Sequence, residues 1–141
     1  MSPLDELLAL DRLTLRHLTD DHAAQLAASL SRCRLLTARA GDGSLAGYAL
    51  LRPAAPGEVF VPMLNVHPAQ RHRATFAALF HGMAALRLPS DTVLVSHVYL
   101  DNAASLRFHR RLGFAERRRN ERAVEFAARL AELRLPFTLK T

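Results

Sequence analysis

Val98-Tyr99-Leu100-Asp101-Asn102-Ala103-Ala104-Ser105-Leu106-Arg107-Phe108-His109-Arg110-Arg111-Leu112-Gly113-Phe114 is the stretch on which the fold turns. Asp101 and Asn102 open a helix, because a short polar side chain there accepts a hydrogen bond from a first-turn amide. The helix is expected to run to Leu112, with Gly113 as the left-handed residue that closes it. Residues 92–99 before it (Val93, Leu94, Val95, Val98) and 114–118 after it read as strands. Ser105, Phe108, His109 and Leu112 recur at helical spacing and share one face, with Asn102 a turn earlier. A polar set of Asn102, Ser105 and His109 beside apolar residues fits the edge of a ligand site. A capping asparagine and a hydrogen-bonded histidine at the core boundary fit the same pattern.

Upstream, residues 72–88 form the clearest helix, with Phe76, Leu79, Phe80, Met83 and Leu86 on one face. It follows a strand at 58–66 and the basic loop His67-Pro68-Ala69-Gln70-Arg71-His72-Arg73. The start of a helix carries unpaired amides and partial positive charge, and Arg71, His72 and Arg73 add side-chain charge there. Such a loop suits a phosphate or pyrophosphate; a solvated basic turn has the same composition. Further out, 1–11 reads as a helical extension (Leu4, Leu7, Leu8), 13–18 alternates like a strand, and 19–31 is a helix. Residues 35–40 and 45–52 flank Gly41-Asp42-Gly43-Ser44 as a hairpin. Residues 123–130 alternate as Val124, Phe126, Ala128 and Leu130, which favours a strand. Their Ala, Glu, Arg and Leu content leaves a helix open, and the tail 131–141 stays unassigned.

The two motifs together resemble the GNAT superfamily of N-acetyltransferases, in element order over residues 12–130. The resemblance implies an α/β (α+β) fold: a mixed, mostly antiparallel central sheet with helices on both faces, as a single domain over 1–141. In the family the loop reads roughly R/Q-x-x-G-x-G/A, and its amides cradle the pyrophosphate of acetyl-CoA. Arg71 takes the Arg/Gln position, Ala74 the first Gly and Phe76 the second Gly/Ala. Phe76 is the large departure, since a small residue lets backbone and pyrophosphate approach; its side chain can instead turn into the core. Residues Arg71, His72, Arg73, Ala74, Thr75 and Phe76 are thereby implied to bind the pyrophosphate, and Asn102 and Ser105 the CoA arm. His109 stands where the family usually has a tyrosine that protonates the departing thiolate. An imidazole can donate only as imidazolium, so His109 marks either an acid with a different pH profile or a lost activity. Tyr99 is the substitute hydroxyl.

The same resemblance makes 58–66 the strand that lies along the pantetheine, with Leu64 and Val66 backbone groups supporting the oxyanion and Asn65 flanking them. Pro62 lacks an N–H and suits a bulged or splayed ladder. Glu58 is the candidate general base, directly or through water, with His97 as a second option. Both residues also fit purely structural roles.

Composition bounds the partners. One cysteine, Cys33, excludes an intrachain disulfide framework or cysteine zinc site, and the seven histidines lack ligand spacing, so no metal is expected. No uninterrupted apolar run reaches the length of a membrane span, and the first ten residues lack a basic leader, so the expected compartment is the cytoplasm. The net charge is +6, with 18 arginines to one lysine. A basic excess points to a polyanion. Without tryptophan and with two tyrosines, the chain lacks stacking platforms, which disfavours nucleic acid. CoA is itself a polyanion. The leading expectation is an N-acyltransferase using acetyl-CoA and an unnamed amine acceptor, small molecule or protein. Next come an inactive acyl-CoA-binding or regulatory domain and, third, a basic nucleic-acid binder. Leu133, Leu135, Phe137 and Leu139 leave open a homodimer or packing within the chain.

Overall fold

The computed structural model of the chain describes residues 2–15 and 18–135. In chain order they form α1 (Pro3–Thr14), α2 (His22–Arg32), β1 (Arg34–Arg39), β2 (Leu45–Pro53), β3 (Glu58–Val66), α3 (Arg73–Ala84), β4 (Val93–Tyr99), α4 (Ala103–Arg111), β5 (Ala115–Arg119) and β6 (Ala123–Arg129). Short 3-10 turns occupy Pro68–Gln70 and Leu130–Glu132. The six strands form one sheet in the order β1-β2-β3-β4-β6-β5. The β3 and β4 strands run parallel, while β1/β2, β4/β6 and β5/β6 are antiparallel. Residues 123–130 thus resolve as a strand to Arg129. Phe137 and Leu139 lie outside the described residues.

The chain divides into two compact units. The first comprises residues up to Leu51 together with Met63–Arg87. Its strands alternate between two helical layers, as the period of two requires. Leu35, Tyr48, Leu50 and Met63 pack with Leu7, Leu8 and Leu10 of α1 and Leu26 of α2. Leu36, Ala38, Leu64 and Val66 pack with Phe76 and Leu79 of α3. Gly47 permits the close approach of β2 and β3: a Cβ there would sit 3.1 Å from both the Asn65 carbonyl oxygen and Val66 Cγ2.

Two expectations at the N-terminus change. Residues 1–11 do not form an appendage, because Leu7, Leu8 and Leu10 are buried in the core. Nor do 13–18 open with a strand. Leu13 and Thr14 complete α1, Thr14 Oγ1 donating to the Leu10 carbonyl at 3.1 Å and Leu15 N to that of Asp11 at 2.9 Å. The helix starts firmly, with Ser2 Oγ accepting from Asp5 N at 3.2 Å while Asp5 Oδ2 accepts from Ser2 N at 3.3 Å. Arg16 and His17 lie outside the described residues.

The second unit comprises Arg52–Pro62 and residues from Leu88 onward. The ladder from β3 to β4 runs from Glu58↔Val93 to Val61↔Ser96 and ends where Pro62 has no amide to give. On its other edge β4 pairs with β6 over its whole length, from Val93↔Arg129 to Tyr99↔Ala123. β5 is the edge strand, all five of its residues exposed, and its register shifts between Glu116 and Arg118. Gly113 closes α4 at φ +100°, and a Cβ there would also come within 3.1 Å of the Glu132 carbonyl oxygen.

Candidate functional site

In the first unit, β3 leads into the basic loop through a chain of local bonds. His67 N donates to Ala46 O at 2.8 Å, and His67 Nδ1 accepts from Ala69 N at 3.0 Å, shaping the turn. Arg71 Nε donates to the Val66 carbonyl at 3.3 Å, so this side chain is folded back on the strand end. His72 Nε2 and Gln70 Oε1 lie 2.9 Å apart. His72 is the N-cap of α3 in extended conformation and supplies no side-chain cap. The first-turn amides of Arg73, Ala74 and Thr75 therefore face an end without the side-chain acceptor that Ser2 gives α1. Arg71, His72, Arg73 and Ala74 are exposed and the Thr75 side chain is buried. The Phe76 side chain sits in the α3 core with Leu79 and Val66, and its amide is directed to His72 O at 3.4 Å. The Phe76 side chain thus belongs to the packing between α3 and the sheet.

The residues 64–66 divide by face. Leu64 and Val66 point to α3. The Asn65 side chain points to the α1 side, where it meets a feature that sequence reasoning missed. Asp11, 0% exposed, accepts from Tyr48 Oη at 2.6 Å and Asn65 Nδ2 at 2.8 Å on Oδ1. Its Oδ2 lies 2.8 Å from His22 Nε2. One carboxylate thereby joins α1, α2, β2 and β3. Burial, and then the hydrogen bond to Asp11, pushes the Tyr48 hydroxyl far above the usual phenol value. The clue lay in the sequence: Asp11 continues the Leu4, Leu7, Leu8 stripe at helical spacing, an acid on an apolar face.

In the second unit, Asn102 caps α4, its Oδ1 accepting from Ser105 N at 3.1 Å. Ser105 in turn meets His109, whose Nδ1 lies 2.8 Å from the Ser105 carbonyl and 3.3 Å from its hydroxyl. A carbonyl only accepts, so Nδ1 carries a proton, and Nε2 lies 3.0 Å from Ser96 Oγ. The ring is 6% exposed and stacks on Phe126 with centroids 5.2 Å apart. Burial lowers its pKa below the ordinary 6.5, the bond to Ser105 opposing only in part. Asn102, Ser105 and His109 are brought together as foreseen. His109 is buried with both nitrogens engaged, surroundings that disfavour the imidazolium an acid role would need.

Glu58 is likewise engaged, its carboxylate bound by Arg117 at 2.8 and 3.3 Å. Glu125 binds Arg117 Nε at 3.0 Å, Arg118 Nε at 2.7 Å and His97 Nε2 at 2.9 Å. Both bases suggested by the sequence, Glu58 and His97, thus belong to one network of ion pairs. The hydrogen bond from His97, followed by the Arg117 and Arg118 charges, brings Glu125 down to about 2 from 4.5. This carboxylate holds fewer protons folded than unfolded. Its stabilisation is complete above about pH 4.5 and is lost as pH falls toward 2. Glu125→Gln is expected to flatten the acid limb of stability against pH in that window, as read by urea melts. An unchanged limb would count against the network.

No family model matches the sequence, and no curated protein matches it. Solved structures do match. The Escherichia coli ribosomal-protein-S18-alanine N-acetyltransferase superposes with a TM-score of 0.73 at 20% identity, over 93% of this chain and 91% of that one. The Thermoplasma acidophilum PaiA N-acetyltransferase, in complex with coenzyme A, gives 0.70 at 15% identity, over 89% and 92%. A GNAT-family putative acetyltransferase from Desulfovibrio desulfuricans gives 0.66 at 20%, over 92% and 95%. This chain has the GNAT fold.

Within this GNAT fold, the loop candidates 64–66 and 71–76 lie in the first unit; Glu58, Asn102, Ser105 and His109 lie in the second. The loop keeps exposed cations and open amides at the start of α3. The second set is occupied by its own capping, core and ion-pair contacts. Among the described residues no cluster of three or more His, Cys, Asp or Glu could hold a metal, and no helix is long and apolar enough to cross a membrane.

Proposed function

We propose that this chain is an acyl-CoA-dependent N-acyltransferase that moves acetyl from acetyl-CoA to an amine by direct attack. The observation that carries the reading is the start of α3, which follows β3 through the basic loop. There the amides of Arg73, Ala74 and Thr75 have no side-chain cap, and Arg71, His72 and Arg73 surround them with exposed cationic and donor groups. A pyrophosphate satisfies both features. The Val66 carbonyl orients Arg71, and Leu64 and Val66 offer backbone groups to the thioester arm. Exposed Asn102 keeps its amide nitrogen for the CoA arm beside Ser105, while its oxygen caps α4. His109 and Glu58 are given no proton-transfer role, because each is already held by internal partners. The departing sulfur takes its proton from solvent.

Calorimetry with acetyl-CoA tests this directly, since no binding at millimolar ligand eliminates the reading. Arg71→Ala is expected to weaken binding about tenfold, the loss of one charge-assisted contact. An unaltered Kd removes the loop assignment. A second reading, an acyl-CoA-binding domain without turnover, is favoured by the buried His109, whose two ring nitrogens are both engaged. Release of CoA thiol with any member of a broad amine panel excludes it.

A further inference from the structure

We infer that His22, backed by the buried carboxylate of Asp11, is the base that takes the proton from the acceptor amine. The inference rests on the acyl-transfer reading and deepens it. An ammonium group cannot attack a thioester, so a proton acceptor is needed; of the two residues suggested by the sequence, Glu58 is held by Arg117, and His97 is half exposed against a carboxylate, that of Glu125, already shared by Arg117 and Arg118.

His22 has a different environment. It is the first residue of α2, and its Nε2 lies 2.8 Å from Asp11 Oδ2. Asp11 Oδ1 is already saturated by Tyr48 and Asn65, so Oδ2 is left for the histidine alone. A carboxylate that accepts from three donors holds a proton on Nε2, so that in the neutral ring the lone pair is on Nδ1. No residue among those described hydrogen-bonds to that Nδ1, and the side chain is 18% exposed while Asp11 is fully buried. An enclosed acid that orients a partly exposed imidazole is the general arrangement of an activated base. The same carboxylate holds Asn65, which sits between Leu64 and Val66 on the strand assigned to the acyl group. The groups facing His22 are Asp11 of α1, with Tyr48 of β2 and uncharged Asn65 of β3 reaching it through that carboxylate, and neighbouring Asp21 of its own turn.

The step balances as follows. The acceptor ammonium gives one proton to His22 Nδ1, and the freed nitrogen attacks the thioester carbonyl carbon. The C–N bond forms and the C–S bond breaks, the electron pair leaving with sulfur. The nitrogen's second proton ends on that sulfur by way of solvent, and His22 returns its proton to water.

His22→Gln separates chemistry from packing, since the glutamine Nε2 replaces the donor to Asp11 but offers no base. Acetyl-CoA binding by calorimetry is expected to match the wild type, while kcat/KM for an amine at neutral pH falls about 100-fold or more. The acid limb of kcat/KM against pH is expected to disappear in the variant. Added imidazole is expected to restore turnover to His22→Gly. Retained turnover with a superimposable pH profile overturns the inference and leaves the acyl-transfer reading intact. Loss of acetyl-CoA binding in His22→Gln in step with turnover also overturns it, as that marks a structural residue. Failure of the wild-type protein to bind acetyl-CoA overturns the acyl-transfer reading itself, and the inference with it.

Discussion

Asp11→Ala is expected to destabilise the protein by about 3–5 kcal/mol, the loss seen when one partner of a buried charged network is deleted. The variant removes the acceptor for the Tyr48 hydroxyl and for Asn65 Nδ2, and both donors stay inside. Each buried donor left unpaired costs about 1–3 kcal/mol. A small cavity adds to this, because neighbouring Leu7 and Tyr48 are themselves fully packed. Against these losses stands the relief of no longer burying a charge, which keeps the total near the stated range. At about 2–4 °C per kcal/mol for a chain of this size, the melting temperature should drop on the order of 10 °C. Asn at the same position keeps Oδ1 as an acceptor and turns Oδ2 into a donor. His22 can answer by changing tautomer, so Asp11→Asn should lose less than half as much. Urea unfolding of the three proteins checks the order. Equal stability of Asp11→Ala and wild type would mean that the network carries no weight.

Phe126→Ala is expected to be as damaging, about 3–5 kcal/mol, since this 0% exposed ring is the largest core side chain of β6. It also carries a second, separable effect. The stacked Phe126 ring is part of what keeps water from His109. With a folded pKa below 6.5, His109 binds fewer protons folded than unfolded, so wild-type stability should decline as pH falls below about 6.5. Opening the ring to water lets the folded pKa rise toward the ordinary value. The slope between pH 6.5 and the lower folded value should then flatten in Phe126→Ala, even though the whole curve lies lower. A parallel downward shift with the same slope would show that Phe126 does not control the titration of His109.

The parts of the fold that were legible from sequence have local causes. Asn102 caps the helix it begins, Gly113 ends it, and both signals sit inside the stretch they organise. The β3 strand was equally legible, because Pro62 and the loop at 67–73 mark its interruption and its end. The misreading at Leu13 and Thr14 arose because the start of a short alternation fits the last turn of a helix as well as a strand. The deciding contacts, Thr14 to Leu10 and Leu15 to Asp11, look backward along the helix. The candidate site was harder for a different reason. His109 meets Ser96 on the preceding strand and Glu58 meets Arg117 on β5; neither distant partner announces itself in sequence. Asp11 was visible as an acid on an apolar stripe, but its three partners come from α2, β2 and β3.

The edge strand β5 gives the arginine excess another meaning. Its exposed side chains Glu116, Arg117, Arg118 and Arg119 follow one another along the open border of the sheet, with a register shift in their midst. A second chain that tried to extend the sheet there would have to set its own backbone against four consecutive charged residues on a kinked template. This border therefore resists joining to another sheet, and β-mediated self-association through it is penalised before any partner arrives. Part of the arginine excess thus guards this border while pairing with the carboxylates of Glu58, Glu116 and Glu125.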